Sequence, residues 1–164
     1  MRWLKNENKK REEMRVLLQR VKRASVTIGG ELHSSINKGL LVLVGIEDAD
    51  GDEDIEWLAK KVTQLRIFDD ENGVMNLDVR QTEGDILVVS QFTLQALTKH
   101  GNRPSYIRAA REEVAVPIYE RFVTRLREIM GREVPTGVFG ADMQVELIND
   151  GPVTIWIDSK KRDN

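Results

Sequence analysis

The apolar positions in the first part of the chain predict three β-strands. Between Val16 and Ile28 they alternate loosely with polar positions, as in a strand with one buried face. Gly29-Gly30 follows as a two-residue hairpin turn, so Glu31 to Ile36 is predicted to return beside the first strand. The run from Gly39 to Ile46 is continuously apolar, which predicts a central strand buried on both faces.

An acidic stretch, Glu47 to Asp54, precedes a predicted helix. Apolar residues recur behind it at helical spacing: Ile55, Leu58, Val62 and Leu65. The alternating aspartates also resemble a calcium loop, but Gly51 falls two positions too early and Ala59 stands where a bidentate glutamate is required. The stretch therefore predicts helix capping by Asp52 or a neighbour rather than a metal site.

Two more helices are predicted in the second half of the chain. They span Ser105 to Val114 and Val116 to Met130, and Pro117 suits the first turn of the second helix. The stripe expected to be buried on that second helix is Ile118, Phe122, Leu126 and Ile129. Gly131 supplies its C-terminal stop.

The remaining segments predict strands. Asp70 to Gly73 is a turn within a short hairpin, and the β-branched run from Ile86 to Val89 is a strand that ends in polar residues. The tail holds two strands, Met143 to Ile148 and Val153 to Ile157, and the Gly151-Pro152 break between them is interpreted either as a β-bulge or edge-strand kink or as a site that a ligand approaches. The order of elements predicts an α+β domain with a mostly antiparallel or mixed sheet and helices on one side.

Composition narrows the class of protein. With 164 residues and 40% hydrophobic content, one compact domain is expected. A net charge of −2 argues against a strongly basic nucleic-acid binder. The chain has no cysteine and only two histidines, so disulfides, a thiolate nucleophile and a histidine-rich metal site are excluded, and a reducing cytosol fits.

The first thirteen residues are highly charged and lack the apolar core of a signal peptide. We expect residues 1–13 to be an N-terminal extension that is disordered or not native, and residues 14–164 to form the domain. No run of about 20 apolar residues is present, so a membrane span is not expected.

A polar loop follows the strand that ends near Ser90. It carries Lys99, His100 and Arg103, which are able to contact phosphate. Three charges alone are weak evidence for a phosphate site, so an ordinary solvated loop is the favoured interpretation.

Two segments at strand ends expose polar groups. Ser90 to Leu94 carries hydroxyl and amide side chains, and the Gly151-Pro152 pair exposes backbone with little side chain. No histidine or lysine stands at a fixed spacing that would make either hydroxyl of the first segment a nucleophile, so a Ser/His/Asp mechanism is not favoured. Backbone N–H groups at the strand end are the better resource, because they hold a carbonyl oxygen as negative charge develops on it.

Four ordered motifs resemble one known family. They are QRV at Gln19 to Val21, SQFTL at Ser90 to Leu94, TGVFGADM at Thr136 to Met143 and NDGPVT at Asn149 to Thr154. Together they are similar to the D-aminoacyl-tRNA deacylases, from Met14 to about Asp158.

The resemblance implies a barrel-like sheet and a homodimeric cytosolic enzyme with its active site at the subunit interface. Such an enzyme hydrolyses the ester joining a D-amino acid, or glycine, to the terminal ribose of tRNA and spares the L-ester. No metal, other cofactor or membrane is implied. In that family the Gly-Pro bond is cis and reaches into the partner's site, so Gly151 and Pro152 would form the chiral filter and Arg20 would brace it.

The resemblance also implies which residues surround the scissile ester. Ser90, Gln91, Phe92 and Thr93 are the expected catalytic residues. Either Thr93 is a nucleophile, or the Phe92 and Thr93 amides hold the carbonyl while the ribose 2′-hydroxyl assists water. We favour the second. The remaining residues expected to line the pocket are Phe139 and Met143.

Two alternatives stay open at this point. The fold is also compatible with a non-catalytic, dimeric RNA-binding module. A related deacylase with a trans Gly151-Pro152 bond would differ in chiral stringency, and sequence does not report the isomer.

Overall fold

A computed structural model describes residues 14–162. The expectation for residues 1–13 lies outside the described residues. The elements in chain order are β1 (Arg15–Ile28), β2 (Glu31–Ile36), β3 (Gly39–Gly45), α1 (Asp52–Gln64), β4 (Phe68–Asp69), β5 (Met75–Leu77), β6 (Asp85–Ser90), α2 (Glu112–Met130) and β7 (Gln144–Asp158). A single 3-10 turn, Phe92–Gln95, lies between β6 and α2. Within these residues no helix is long and apolar enough to cross a membrane.

Strand β1 is the centre of the sheet. One edge of β1 pairs antiparallel with β3 along its first half and with β2 along its second half, and the other edge pairs antiparallel with β7. Strand β6 extends the sheet beyond β3 in parallel. The sheet is therefore mixed, as predicted, and the parallel pair is connected by a crossover that contains α1.

The two faces of the sheet have different cores. Both helices pack on one face, where Leu58 of α1, Phe122 of α2 and Leu40 of β3 belong to one buried core. The other face is packed by strand residues such as Leu41 and Leu87. Helices on one side of a curled, half-barrel sheet make this a single α+β domain, which confirms the fold class.

The second half of the chain contains one long helix where two were predicted. Residues 106 to 110 form turns and a bridge rather than a helix, and α2 begins at Glu112. Pro117 therefore lies inside α2 instead of in its first turn. Three residues of the predicted buried stripe, Ile118, Phe122 and Leu126, are nevertheless in the core, and the fourth, Ile129, is partly buried against it.

The tail forms one strand with an interruption, not two strands. In the pairing of β7 with β1, Thr154 faces Gln19 and Asn149 faces Val21. The four residues from Asp150 to Val153 thus lie opposite Arg20 alone. A bulge of this size displaces the backbone of Gly151-Pro152 from the ladder.

A buried acidic cluster closes the turn before α1. Asp50 is 7% exposed, and its Oδ2 accepts a hydrogen bond from the Glu47 N–H at 2.6 Å. Burial, reinforced by the Asp54 and Glu47 carboxylates, raises the pKa of Asp50 to about 7 despite that hydrogen bond and the Lys160 ammonium. Burial also acts to raise the pKa of Asp54, but hydrogen bonds led by that from Lys160 Nζ, at 2.6 Å, outweigh it and lower the pKa.

We expect Asp50→Asn to change how stability depends on pH. Between about pH 4 and pH 7, folded Asp50 holds a proton that the unfolded chain does not, so its contribution to the free energy of unfolding declines as the pH rises, by roughly 2–4 kcal/mol. Asparagine retains an acceptor for the Glu47 amide but does not ionise. Urea denaturation should therefore show that the free energy of unfolding of the variant, relative to that of the wild type, is higher at pH 8 than at pH 5.

The matched control is Asp48→Asn, which removes an exposed carboxylate from the same stretch. It should not reproduce the pH-dependent gain. A stability difference between wild type and Asp50→Asn that is equal at the two pH values would contradict the raised pKa.

Candidate active site

A cavity of about 490 Å³ opens where β6 ends. Three segments line it: the end of β6 and the 3-10 turn, the loop before α2, and the segment that leads into β7. The lining residues of the first are Val89, Ser90, Gln91 and Phe92, those of the second are Tyr106, Ala109, Ala110 and Arg111, and those of the third run from Phe139 to Met143 with Val145. The pocket thus contains five of the residues predicted for the site: Ser90, Gln91, Phe92, Phe139 and Met143.

The turn after β6 is fixed to the sheet by backbone. The Gln91 N–H donates to the Val44 carbonyl of β3 at 2.7 Å, and the Leu94 N–H donates to the Gln91 carbonyl at 3.2 Å. The amides of Phe92 and Thr93 begin this turn, so no earlier carbonyl of the turn accepts from them. Such amides are available to a negatively charged oxygen.

Gly45 allows the turn to lie this close to β3. A Cβ at this position would be 2.9 Å from Leu94 Cβ and 3.1 Å from the Gln91 carbonyl oxygen. The first distance is shorter than real Cβ atoms show, and the second, to backbone, is tight enough that the turn would have to shift. The absence of a side chain at Gly45 therefore sets the position of the turn.

The Thr93 hydroxyl is held by an amide rather than by a base. Gln91 Nε2 donates a hydrogen bond to Thr93 Oγ1. A carboxamide NH₂ does not take up a proton, so this contact orients the hydroxyl without activating it. His33 lines a different cavity, beside α2, and His100 lies in the exposed loop.

Aromatic rings stand at two sides of the pocket. Phe92 is 57% exposed and meets Tyr106 edge to face, with ring centroids 5.1 Å apart. Phe139 packs against Tyr119 at 5.8 Å, and the Tyr119 hydroxyl donates to the Val88 carbonyl at 3.3 Å. Burial raises the pKa of Tyr119 to about 12, so its hydroxyl remains a donor that supports the wall.

Met143 fills a space left by a glycine. A side chain at Gly137 would overlap Met143 Sδ. The thioether is therefore held against the segment from which Phe139 projects, and both predicted lining residues share one wall of the pocket.

The Gly151-Pro152 pair lies elsewhere on the chain. It is exposed on β7, and neither residue is among those that line the cavity. The peptide bond between them is cis. Gly151 has φ +142°, and a Cβ there would be 2.9 Å from Val153 Cγ2 and 3.1 Å from Arg20 Nη2.

Two side chains hold the bulge around that pair. Arg20 Nε donates to the Asp150 carbonyl at 2.8 Å, and its Nη1 donates to the Ile67 carbonyl at 2.7 Å. Asn149 spans the bulge from the other side, because its Oδ1 accepts from the Val153 N–H at 2.7 Å and its Nδ2 donates to Thr154 Oγ1 at 2.9 Å. The bulge is therefore a rigid feature of the surface.

Several residues of the site were not anticipated from sequence. The hydrogen bonds of Asn149 across the bulge were not predicted, although asparagine before a turn is a recognisable signal for local side-chain bonding. Tyr106 and Arg111 were missed because their segment was interpreted as a helix. No group of residues able to hold a metal ion occurs within residues 14–162.

Comparison with known proteins identifies the class. The family model described as D-Tyr-tRNA(Tyr) deacylase matches residues 17–158. A D-aminoacyl-tRNA deacylase of Bacteroides thetaiotaomicron is 61% identical over 150 residues, which cover 92% of this chain and all of the relative. One of Flavobacterium psychrophilum has the same identity and coverage.

Solved structures agree on the fold. A chain named c-Myc DNA Unwinding Element Binding Protein has a TM-score of 0.83 and 42% identity, and the match covers 87% of this chain and 97% of that one. A structure described as that of "a probable eukaryotic D-amino acid tRNA deacylase" has a TM-score of 0.76, with 18% identity over 89% of this chain and 99% of that one.

The protein is thus a hydrolase that acts on the ester bond of aminoacyl-tRNA. The chain belongs to the D-Tyr-tRNA(Tyr) deacylase family.

Gly45→Ala should displace the turn that carries Gln91 to Thr93. We expect a loss of about 1–3 kcal/mol in stability from overpacking, and a fall in kcat/KM for aminoacyl-tRNA that exceeds what unfolding explains. Gly51→Ala is the matched control, since Gly51 has φ −152° and a Cβ there would meet nothing within 4 Å. Chemical denaturation and deacylation assays at a temperature where both variants are folded measure the two effects, and equal activities would argue against this role for Gly45.

Proposed function

We propose that this enzyme removes D-amino acids from tRNA and rejects L-aminoacyl-tRNA by shape. The observation that carries the proposal is the Gly151-Pro152 bulge, in which backbone displaced from the sheet is held by Arg20 and Asn149. A rigid wall of main chain placed against the substrate's α-carbon leaves room for hydrogen in one configuration and forces a clash with the side chain in the other.

Selection by backbone has consequences for substrate range. The side chain of a D-amino acid points away from the wall and makes no contact with it, so esters of different D-amino acids are accepted. Glycine has no side chain to exclude, and mischarged glycyl-tRNA is therefore also a substrate.

The backbone wall that excludes the L-ester from one pocket comes from a second copy of the chain. Within one protomer, Gly151 and Pro152 are exposed and are not part of the pocket lining, whereas Phe92 lines the pocket and Thr93 follows it in the turn at the end of β6. A homodimer with twofold symmetry would bring the bulge of each protomer to the pocket of the other and so form two equivalent sites.

The chemistry requires a place for negative charge and a positioned water. The Phe92 and Thr93 amide N–H groups donate hydrogen bonds to the carbonyl oxygen as water attacks the carbonyl carbon. The bond from that carbon to the ribose 3′-oxygen then breaks. The 2′-hydroxyl assists the attacking water, and the proton that water loses ends on the 3′-oxygen, which gives free tRNA and the amino acid.

Thr93 and its neighbours position rather than attack. Gln91 donates to the Thr93 hydroxyl, so the residues of the turn restrain one another. Phe139 and Met143 supply the apolar wall, and no metal or other cofactor enters the reaction. We place the reaction in the cytoplasm, where aminoacyl-tRNA is made, and the absence of cysteine fits a reducing compartment.

The runner-up is a dimeric RNA-binding module without turnover. One structural neighbour is named as a DNA-element binding protein, which makes a nucleic-acid-binding role on this fold worth a direct test.

Hydrolysis of matched D- and L-tyrosyl-tRNA tests the proposal and the runner-up together. We expect the D-ester and glycyl-tRNA to be cleaved and the L-ester to be spared by at least about a hundredfold, because a clash excludes it from the pocket. Binding of all three without release of amino acid would select the binding module. Equal rates for the two enantiomers would refute the chiral filter.

Two substitutions of Thr93 distinguish a role of its hydroxyl from a role of its backbone N–H. Thr93→Ala removes the hydroxyl and should keep activity within about tenfold, whereas Thr93→Pro removes the N–H and should lower kcat by roughly 10²–10³. Thr98→Ala, on an exposed position outside the turn, is the control. If Thr93→Ala abolished turnover while folding and tRNA binding persisted, the hydroxyl would be the nucleophile.

A further inference from the structure

The loop before α2 is unusually basic for this chain. No aspartate or glutamate occurs between Asp85 and Glu112, although the whole chain has a net charge of −2. The cations in this stretch are Lys99, Arg103, Arg108 and Arg111, and all four side chains are exposed. A local concentration of positive charge on an acidic protein indicates an anionic partner.

The arginines of this loop also lack the ion pairs and hydrogen bonds that the other described arginines form. Nine described arginines form an ion pair with a carboxylate: Arg15, Arg20, Arg23, Arg80, Arg121, Arg125, Arg127, Arg132 and Arg162. Arg66 donates to the Asn76 carbonyl. Among residues 14–162, the three arginines with neither an ion pair nor a side-chain hydrogen bond are Arg103, Arg108 and Arg111. All three lie in this loop.

The loop is anchored to the domain at several points. The Leu97 and Ser105 backbones exchange hydrogen bonds at 2.7 and 2.9 Å, which closes the segment carrying Lys99 and Arg103. The Ala110 N–H donates to the Ile46 carbonyl at 2.9 Å, which ties the end of the loop to the end of β3. The unpaired cations are therefore presented at defined positions.

The same loop forms a wall of the active-site pocket. Tyr106 and Arg111 line the pocket, and Tyr106 packs edge to face on Phe92 at its rim. Tyr106 is 39% exposed and Phe92 is 57% exposed, so the ring pair faces solvent. Aromatic rings beside unpaired arginines form the surface on which single-stranded nucleic acid stacks its bases and neutralises its phosphates.

We propose that the loop from Lys99 to Arg111, with the Phe92–Tyr106 ring pair, binds the single-stranded 3′ end of the tRNA outside the pocket. The cations contact backbone phosphates, and the ring pair stacks on a base next to the esterified nucleotide. This proposal rests on the proposed function, because the ester in the pocket fixes where the strand leaves it. It assigns the loop to substrate binding rather than to contact with another protein.

The first test compares two double variants that each remove two positive charges. R103Q/R108Q removes unpaired loop cations, and K60Q/K61Q removes two from the outer surface of α1, where Lys60 pairs with Glu56. Affinity for uncharged tRNA is measured over a range of salt concentrations. We expect R103Q/R108Q to bind about tenfold more weakly near physiological salt and to lower the slope of log K against log salt by about 1.4, that is, two contacts at about 0.7 each.

A second readout uses a substrate without phosphates. With R103Q/R108Q, the loss of kcat/KM on D-aminoacyl-tRNA should exceed the loss on D-aminoacyl-adenosine, whose ester and base are the same. Unchanged tRNA affinity and salt slope in this variant would overturn the proposal. An equal loss in K60Q/K61Q would do so as well, because the effect would then be one of overall charge.

The ring pair has its own test. Tyr106→Phe keeps the ring and should bind tRNA like the wild type, whereas Tyr106→Ala should weaken binding by roughly fivefold to a hundredfold. Loss of dimer in place of tRNA affinity, measured by sedimentation, would assign the surface to a second copy and refute the proposal. Failure of the wild type to cleave D-aminoacyl-tRNA would refute the proposed function alone, since the binding experiments use uncharged tRNA.

Discussion

The pairing of β1 along both of its edges is the constraint from which the site follows. On one edge the register with β3 is continuous, so Arg20 faces Leu40 within a regular ladder. On the other edge Arg20 faces four residues of β7, from Asp150 to Val153. A strand cannot pair one residue with four, and the excess backbone leaves the sheet. Arg20 then satisfies the Asp150 carbonyl, and this turns a mismatch in register into a rigid surface of main chain.

The pocket at the end of β6 depends on a second close approach of backbone. Gly45 ends β3 without a side chain, and the turn after β6 occupies the space. The amides of Phe92 and Thr93 therefore lie at a fixed distance from the sheet. At both places main chain forms the exposed surface and side chains position it, which is the arrangement that the proposed filter requires.

Sequence predicted the sheet well because its signals are local. Alternation between Val16 and Ile28 and the apolar run at β3 report burial directly, and both strands were found. The helix predicted from Ser105 to Val114 was wrong over most of its length, and the second helix was predicted to begin too late. The cause is Pro117, which was interpreted as a helix start but lies further inside α2. The contact of Arg20 with Asp150 spans 130 residues and follows from strand register, which no local pattern encodes. The unpaired state of the loop arginines likewise depends on where every carboxylate lies in space.

Mixing two variants, each impaired in a different element, tests most directly whether the displaced backbone of one protomer completes the site of another. Gly151→Ala disturbs the bulge, since φ is +142° and Arg20 Nη2 lies 3.1 Å from the added Cβ, and Thr93→Pro removes an amide from the turn. If the two elements come from different chains, a mixed dimer has one site with both intact, and random subunit exchange at equal concentrations should restore about a quarter of wild-type activity. Activity that stays at the average of the two homodimers, although differently tagged chains copurify, would contradict the account.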